Sequence, residues 1–235
     1  MTKIPLILVP GLLCDAQLWS HQVRSLRPIA ACHVTDHHAR HGTIADMAAA
    51  IVADAPARFA LAGLSMGGYV ALEICRQFGS RVDRLALVDT SARPDTPEQT
   101  QRRGHLTALC RKGRFQEMAE SLYPFLVHPG RSDDAVLKRR IVDMAHRVGS
   151  AVFLRQQRAI VRRIDQRPNL AAIDCPTVVI CGEQDQITPM ACSKEMAAGI
   201  RGAGLEVLAD CGHMSTMERP DMVAAILRGW LTRAR

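Results

Sequence analysis

Ser65 stands in Gly63-Leu64-Ser65-Met66-Gly67-Gly68. A serine hydroxyl is a weak nucleophile until a neighbouring base takes its proton during attack. The flanks say how this one is presented. An apolar run of strand length, Phe59–Leu64, precedes it, and Val70, Leu72, Ile74, Cys75 and Phe78 follow at helical spacing. The serine therefore lies on a tight turn from strand into helix. The chain must pass close to itself two residues before and two residues after it, and glycine occupies both positions. The turn lifts the hydroxyl clear of the sheet. It also sets the unpaired N–H groups of a helix N-terminus beneath any negative charge that develops nearby.

Such a serine needs a base, and the base needs an acid to orient it. His213, in Cys211-Gly212-His213, follows the last apolar strand and precedes the final helix. His33, His37, His38 and His41 precede Ser65, and His105, His128 and His146 lie in a stretch without strands. Asp185, in Gly182-Glu183-Gln184-Asp185, directly follows the strand 177–181, and Asp89 ends the strand 82–88 as an alternative acid. Loops after parallel strands share one edge of a sheet, so these groups can converge there. A tetrahedral oxyanion would take the backbone N–H of Met66. A second donor is expected from Pro10-Gly11-Leu12, at Leu12.

The elements that would hold these residues alternate. Apolar strands are expected at 4–9, 29–34, 59–64, 82–88, 177–181 and 205–208, with helices at 17–26, 44–55, after Ser65, from Thr188-Pro189 and from Pro220. Strands apolar throughout and separated by helices indicate an α/β fold with a parallel sheet covered on both faces. The rhythm stops from 93 to 168. Four helical segments take its place: one starts at Thr96-Pro97, one carries Phe115, Met118 and Leu122, and two are expected to be capped by Ser132 and Ser150. The reading is a core of 1–92 with 169–235 and a helical cap of 93–168 over the strand ends.

Composition limits the partners. Hydrophobic residues make up 48% of the 235, enough to bury a sizeable core. No apolar run approaches the roughly 18 residues of a membrane span. The net charge is +7, yet the stretch 93–167 holds 16 Lys/Arg against 8 Asp/Glu. The cap is therefore expected to attract an anionic substrate or an acidic carrier protein, with Arg158 and Arg162 as guiding cations. Neither nucleic acid nor membrane is expected as a partner. The eight cysteines form no C-x-x-C pair, and reduced thiols in a cytoplasmic enzyme are expected. Lys3, the apolar stretch 4–13 and Cys14 have the outline of a lipoprotein signal. Pro10-Gly11 interrupts that stretch, and Leu13 is large where cleavage wants a small residue, so cleavage is not expected there.

Four stretches, LVPGLLCDAQLW, AGLSMGGYVALEI, VVICGEQDQITP and CGHMSTMERP, resemble the α/β-hydrolase family in order and spacing. The likeness is to its small bacterial esterases, enol-lactonases and carrier-protein methyl esterases. It implies a mostly parallel sheet of about six strands, since the sequence starts at what would be the family's third strand. It also implies a Ser65–His213–Asp185 triad and favours Asp185 over Asp89 as the acid. A small-molecule acyl ester would be cleaved through an acyl-enzyme, with no metal or organic cofactor. Acyl transfer, C–C hydrolysis, peroxide chemistry or a non-catalytic receptor role are the alternatives on the same fold. By the same analogy Leu12, Trp19, Phe125 and Phe153 would line the acyl pocket. Relatives usually carry His-Gly where this chain has Pro10-Gly11, which leaves open how the oxyanion loop is held.

Overall fold

The computed structural model describes residues 3–233. Six strands, β1 (Ile4–Val9), β2 (Ala30–Val34), β3 (Phe59–Leu64), β4 (Val82–Val88), β5 (Thr177–Gly182) and β6 (Gly204–Leu208), form one sheet in the order β2-β1-β3-β4-β5-β6. Every neighbouring pair is parallel. The helices are α1 (Ser20–Leu26), α2 (His37–Arg40), α3 (Ile44–Asp54), α4 (Met66–Phe78), α5 (Pro97–Arg111), α6 (Phe115–Leu126), α7 (Ala135–Val148), α8 (Ser150–Val161), α9 (Met190–Gly199), α10 (Ser215–Glu218) and α11 (Pro220–Thr232).

Side chains alternate across each strand, so the sheet builds two cores. Leu6 and Leu8 face Leu18, Leu26, Val223 and Leu227 beneath α1 and α11. Ile7 and Val9 face Met47, Ile51, Val70 and Ile74 of α3 and α4. Burying each such aliphatic side chain contributes roughly 1.5–3 kcal/mol. All six residues of β3 are buried, and this strand sits between β1 and β4. The strand that delivers Ser65 is thus anchored along its whole length, as is β5. Helices α5 to α8 all fall between β4 and β5, and a third cluster with Leu13, Met118 and Phe153 joins them to the loop after β1.

Helix starts differ from expectation at three places, each for a local reason. Thr96 does cap α5, with a reciprocal bond from Gln99. Ser132 does not cap α7; Asp134 does, accepting from the Leu137 N–H at 2.9 Å, while Ser132 ends a short 3-10 turn. Ser150 is the first residue of α8, after Gly149 at φ +82°. Thr188 caps nothing, because its hydroxyl is taken by Asp185 at 2.7 Å and α9 begins two residues later. The single turns α2 and α10 are too short to show a hydrophobic period. All eight cysteines are free thiols. Among the described residues, no helix is long and apolar enough to cross a membrane.

Candidate active site

The turn from β3 into α4 is built by exclusion of side chains. A Cβ on Gly63 would lie 2.2 Å from the Gly67 carbonyl oxygen, and one on Gly67 would lie 2.1 Å from that of Val9. Only glycine lets the three segments close up. Ser65 itself is forced to φ +56°, ψ −117°, which a non-glycine residue avoids. Its N–H donates to the Val88 carbonyl at 3.0 Å, and Thr90 Oγ1 donates to its carbonyl at 2.7 Å. Bonds from the end of β4 thus hold the strained residue.

The side chain meets an imidazole. Ser65 Oγ lies 2.9 Å from His213 Nε2, and His213 Nδ1 lies 2.8 Å from Asp185 Oδ2. Asp185 is 5% exposed and also accepts from the N–H of Ile187 and of Thr188, at 2.8 and 3.0 Å. An ionised carboxylate only accepts, so the Nδ1–H donates to it and Nε2 is left to receive the Ser65 hydroxyl proton. Burial opposes charge on Asp185, but the adjacent imidazole and the bonds from His213 and Thr188 outweigh it, so its carboxyl is held below the usual range. Burial likewise opposes charge on His213. The Asp185 charge and hydrogen bond win, helped by Asp89 and Glu218, and its affinity for a proton rises.

Asp89 reaches no part of the imidazole by hydrogen bond. Its two oxygens accept from the Gly182 N–H at 2.9 Å and the Ser215 N–H at 3.2 Å, tying the end of β4 to the end of β5 and the start of α10. Complete burial, then the Asp185 charge, push its carboxyl well above the ordinary value. Glu218, which sequence reasoning missed, does similar work from α10. It is 2% exposed and accepts from the N–H groups of Gly212, Met214 and His128. Those bonds fix the loop that carries His213.

The loop after β1 faces Ser65 from the other side. Neither the Leu12 N–H nor the Met66 N–H has a protein acceptor among the described residues. Leu13 is strained at φ +59°, and its N–H donates to Gln156 Oε1 at 3.1 Å. Gln156, fully buried on α8, passes the restraint on by donating from Nε2 to the His38 carbonyl at 3.2 Å; His38 Nε2–H in turn donates to the Cys14 carbonyl at 2.8 Å. This ring of bonds holds the loop that Pro10-Gly11 begins. No local motif signals it, because Leu13 and Gln156 are 143 residues apart.

A cavity of about 170 Å³ opens above Ser65 and His213. Leu12 lines it as expected, with Leu106, Leu122, Leu126, Ile141 and Met214. The three aromatic positions expected there lie elsewhere. Trp19 is fully buried in the core below α1 and α11, and Phe153 is fully buried against Phe115 inside the cap. Phe125 is 41% exposed, with the Arg102 guanidinium 4.7 Å from its ring centre. The expected guiding cations also miss the cavity: Arg158 is exposed, and Arg162 lines a separate cleft with Glu73 and Ser91. The arginines in the wall of the cavity are Arg102 and Arg103.

The model of the alpha/beta hydrolase family matches residues 6–226. Among curated proteins, the 2-hydroxy-6-oxononadienedioate/2-hydroxy-6-oxononatrienedioate hydrolase of Klebsiella pneumoniae is 27% identical over 179 residues, which cover 74% of this chain and 62% of that protein. The match thus spans less than two thirds of that relative's length. Two solved structures are similar over nearly the whole chain. A thermophilic esterase from Thermogutta terrifontis is 28% identical, with a TM-score of 0.87 and coverage of 98% of this chain and 90% of that one. The enol-lactonase from Burkholderia xenovorans is 26% identical, with a TM-score of 0.89 and coverage of 99% and 93%.

Three outcomes follow from the geometry. The His213 imidazole should keep its proton to higher pH than a free one, so its titration followed by NMR should have a midpoint above 6.5. Asp185→Asn removes the charge that stabilises the imidazolium and should move that midpoint down. Gln156→Leu should strand two buried groups, the Leu13 N–H and the His38 carbonyl, at about 1–3 kcal/mol each in urea unfolding.

Proposed function

Because the chain belongs to the alpha/beta hydrolase family, we propose that it is a serine hydrolase cleaving carboxylic esters, thioesters or lactones through an acyl-enzyme. The observation that carries this reading is the continuous line of hydrogen bonds from Ser65 through His213 to Asp185, at 2.9 and 2.8 Å. Ser65 Oγ attacks the carbonyl carbon as its proton passes to His213 Nε2. The carbonyl oxygen takes the negative charge beside the free N–H groups of Leu12 and Met66. Asp185 steadies the imidazolium, which gives its proton to the departing alkoxide or thiolate. Water then attacks the acyl-enzyme by the same route, with His213 taking its proton, and releases the acid and Ser65.

The two similar structures that span the chain nearly end to end are described as an esterase and an enol-lactonase, both of which act on an ester bond. This favours oxygen or sulfur leaving groups over acyl transfer, carbon–carbon cleavage or peroxide chemistry on the same three side chains. A receptor role needs no acceptor-free N–H pair facing a nucleophile, and this chain keeps both.

Purified protein should hydrolyse p-nitrophenyl esters and be labelled by a fluorophosphonate at Ser65. Ser65→Ala should abolish both while unfolding in urea as the parent does; retained hydrolysis in that variant would refute the proposal. Asp185→Asn should lower kcat by about 10⁴-fold. The cavity of about 170 Å³ is close to a size known to hold a six-membered ring. In a chain-length series, kcat/KM should therefore fall once the acyl group exceeds about six carbons.

A further inference from the structure

The cavity above Ser65 is not apolar all round. Gln99, Arg102 and Arg103 of α5 and Gln157 of α8 form one side of it, and no Asp or Glu lines it among the described residues. Arg103 Nε donates to Asp95 Oδ2 at 2.6 Å, and Arg163 Nη1 lies 2.8 Å from the other oxygen of the same carboxylate. The three side chains are 18%, 7% and 2% exposed for Arg103, Arg163 and Asp95. One negative charge thus faces two positive ones in a place largely stripped of water. A unit of positive charge is left over beside the cavity, where low polarity strengthens its pull on an anion. Arg102, in the same wall, has no carboxylate partner among the described residues and rests on the Phe125 ring.

Gln157 adds a donor. Its Oε1 accepts from Arg103 Nη1 at 3.0 Å, which fixes which end of the amide is which. The Nε2 group is buried and has no acceptor among the described residues. Buried donors are nearly always paired, and this one, on a residue that lines the cavity, is left without its acceptor.

We infer that this wall receives a carboxylate at the far end of the acyl chain, so that the substrate class is the half-ester or half-thioester of a short dicarboxylic acid. Gln157 donates to the carboxylate, Arg102 pairs with it, and Arg103 supplies the surplus charge behind it. The inference rests on the ester-hydrolase reading for the identity of the scissile bond. The carboxylate site itself can be tested without turnover.

Two esters of equal backbone length separate the possibilities, monomethyl glutarate and methyl pentanoate. Titrated calorimetrically into the Ser65→Ala protein, the half-ester should bind about tenfold or more tightly. Gln157→Glu keeps the acceptor that Arg103 needs but sets a negative charge against the ligand, and it should abolish the preference. Arg102→Ala, at an exposed position, should weaken the half-ester alone and leave methyl pentanoate within about twofold. Equal binding of the two esters, tighter binding of the neutral one, or equal losses for both in the Arg102→Ala protein would overturn the inference. If the parent protein turns over neither ester while the half-ester still binds selectively, the carboxylate site stands and the ester-hydrolase reading falls.

Discussion

Buried carboxylates hold this site together, and the bond from His213 Nδ1–H to Asp185 is the one on which the others converge. A carboxylate with no water around it must find donors, and three of them do so along one rim of the sheet. Asp185 takes the N–H groups of Ile187 and Thr188, Asp89 takes those of Gly182 and Ser215, and Glu218 takes those of Gly212, Met214 and His128. The loops after β4, β5 and β6 and the end of α6 are thereby stitched to one another. The imidazole is the one cationic group that this arrangement can form at its centre, and the Asp185 charge and hydrogen bond explain why it binds a proton more readily than burial alone would allow.

Backbone strain is distributed along the same rim. Leu13, Ser65 and Asp89 all have positive φ, and they follow β1, β3 and β4. Each such residue costs on the order of 1–3 kcal/mol and persists only where its surroundings over-determine it. Here the restraint is visible in every case. Gln156 holds Leu13, the Val88 carbonyl and Thr90 hold Ser65, and the backbone of Gly182 and Ser215 holds the side chain of Asp89. The strands beneath supply the rigidity, since β3 is buried throughout and its neighbours β1 and β4 are buried over their last four residues.

What could be read from the sequence was what repeats over short distances. The turn around Ser65 and the positions of Asp185 and His213 just past apolar strands need only local patterns, and the structure brings those three side chains within bonding distance. The cap was legible as helices but not as a surface. Family analogy places Trp19 and Phe153 in the pocket, and the sequence has no means of correcting it, because an apolar residue looks the same whether it faces a core or a cavity. The caps expected at Ser132 and Ser150 and the helix start expected at Thr188 differ from the structure for a similar reason. A hydroxyl near a helix start has several acceptors and donors within reach, and tertiary partners decide among them; for Thr188 the winner was Asp185. Polar links between distant segments, such as Gln156 to Leu13, leave no local trace at all.

Gln156 and Gln157 show how the cap and the rim can act as one body. Successive residues on a helix point about 100° apart, so neighbours on α8 serve different surroundings. Gln156 turns to the strained loop and holds Leu13, whereas Gln157 turns to Arg103 and the polar wall of the cavity. A group bound at that wall bears on the same helix that fixes the loop carrying the Leu12 N–H. Under the proposed function, contacts made far from the reacting carbon would go into holding the Leu12 N–H in place, which raises turnover and not merely affinity. A purely apolar cavity would offer no such lever, because it would fix neither the depth nor the orientation of a bound molecule relative to Ser65.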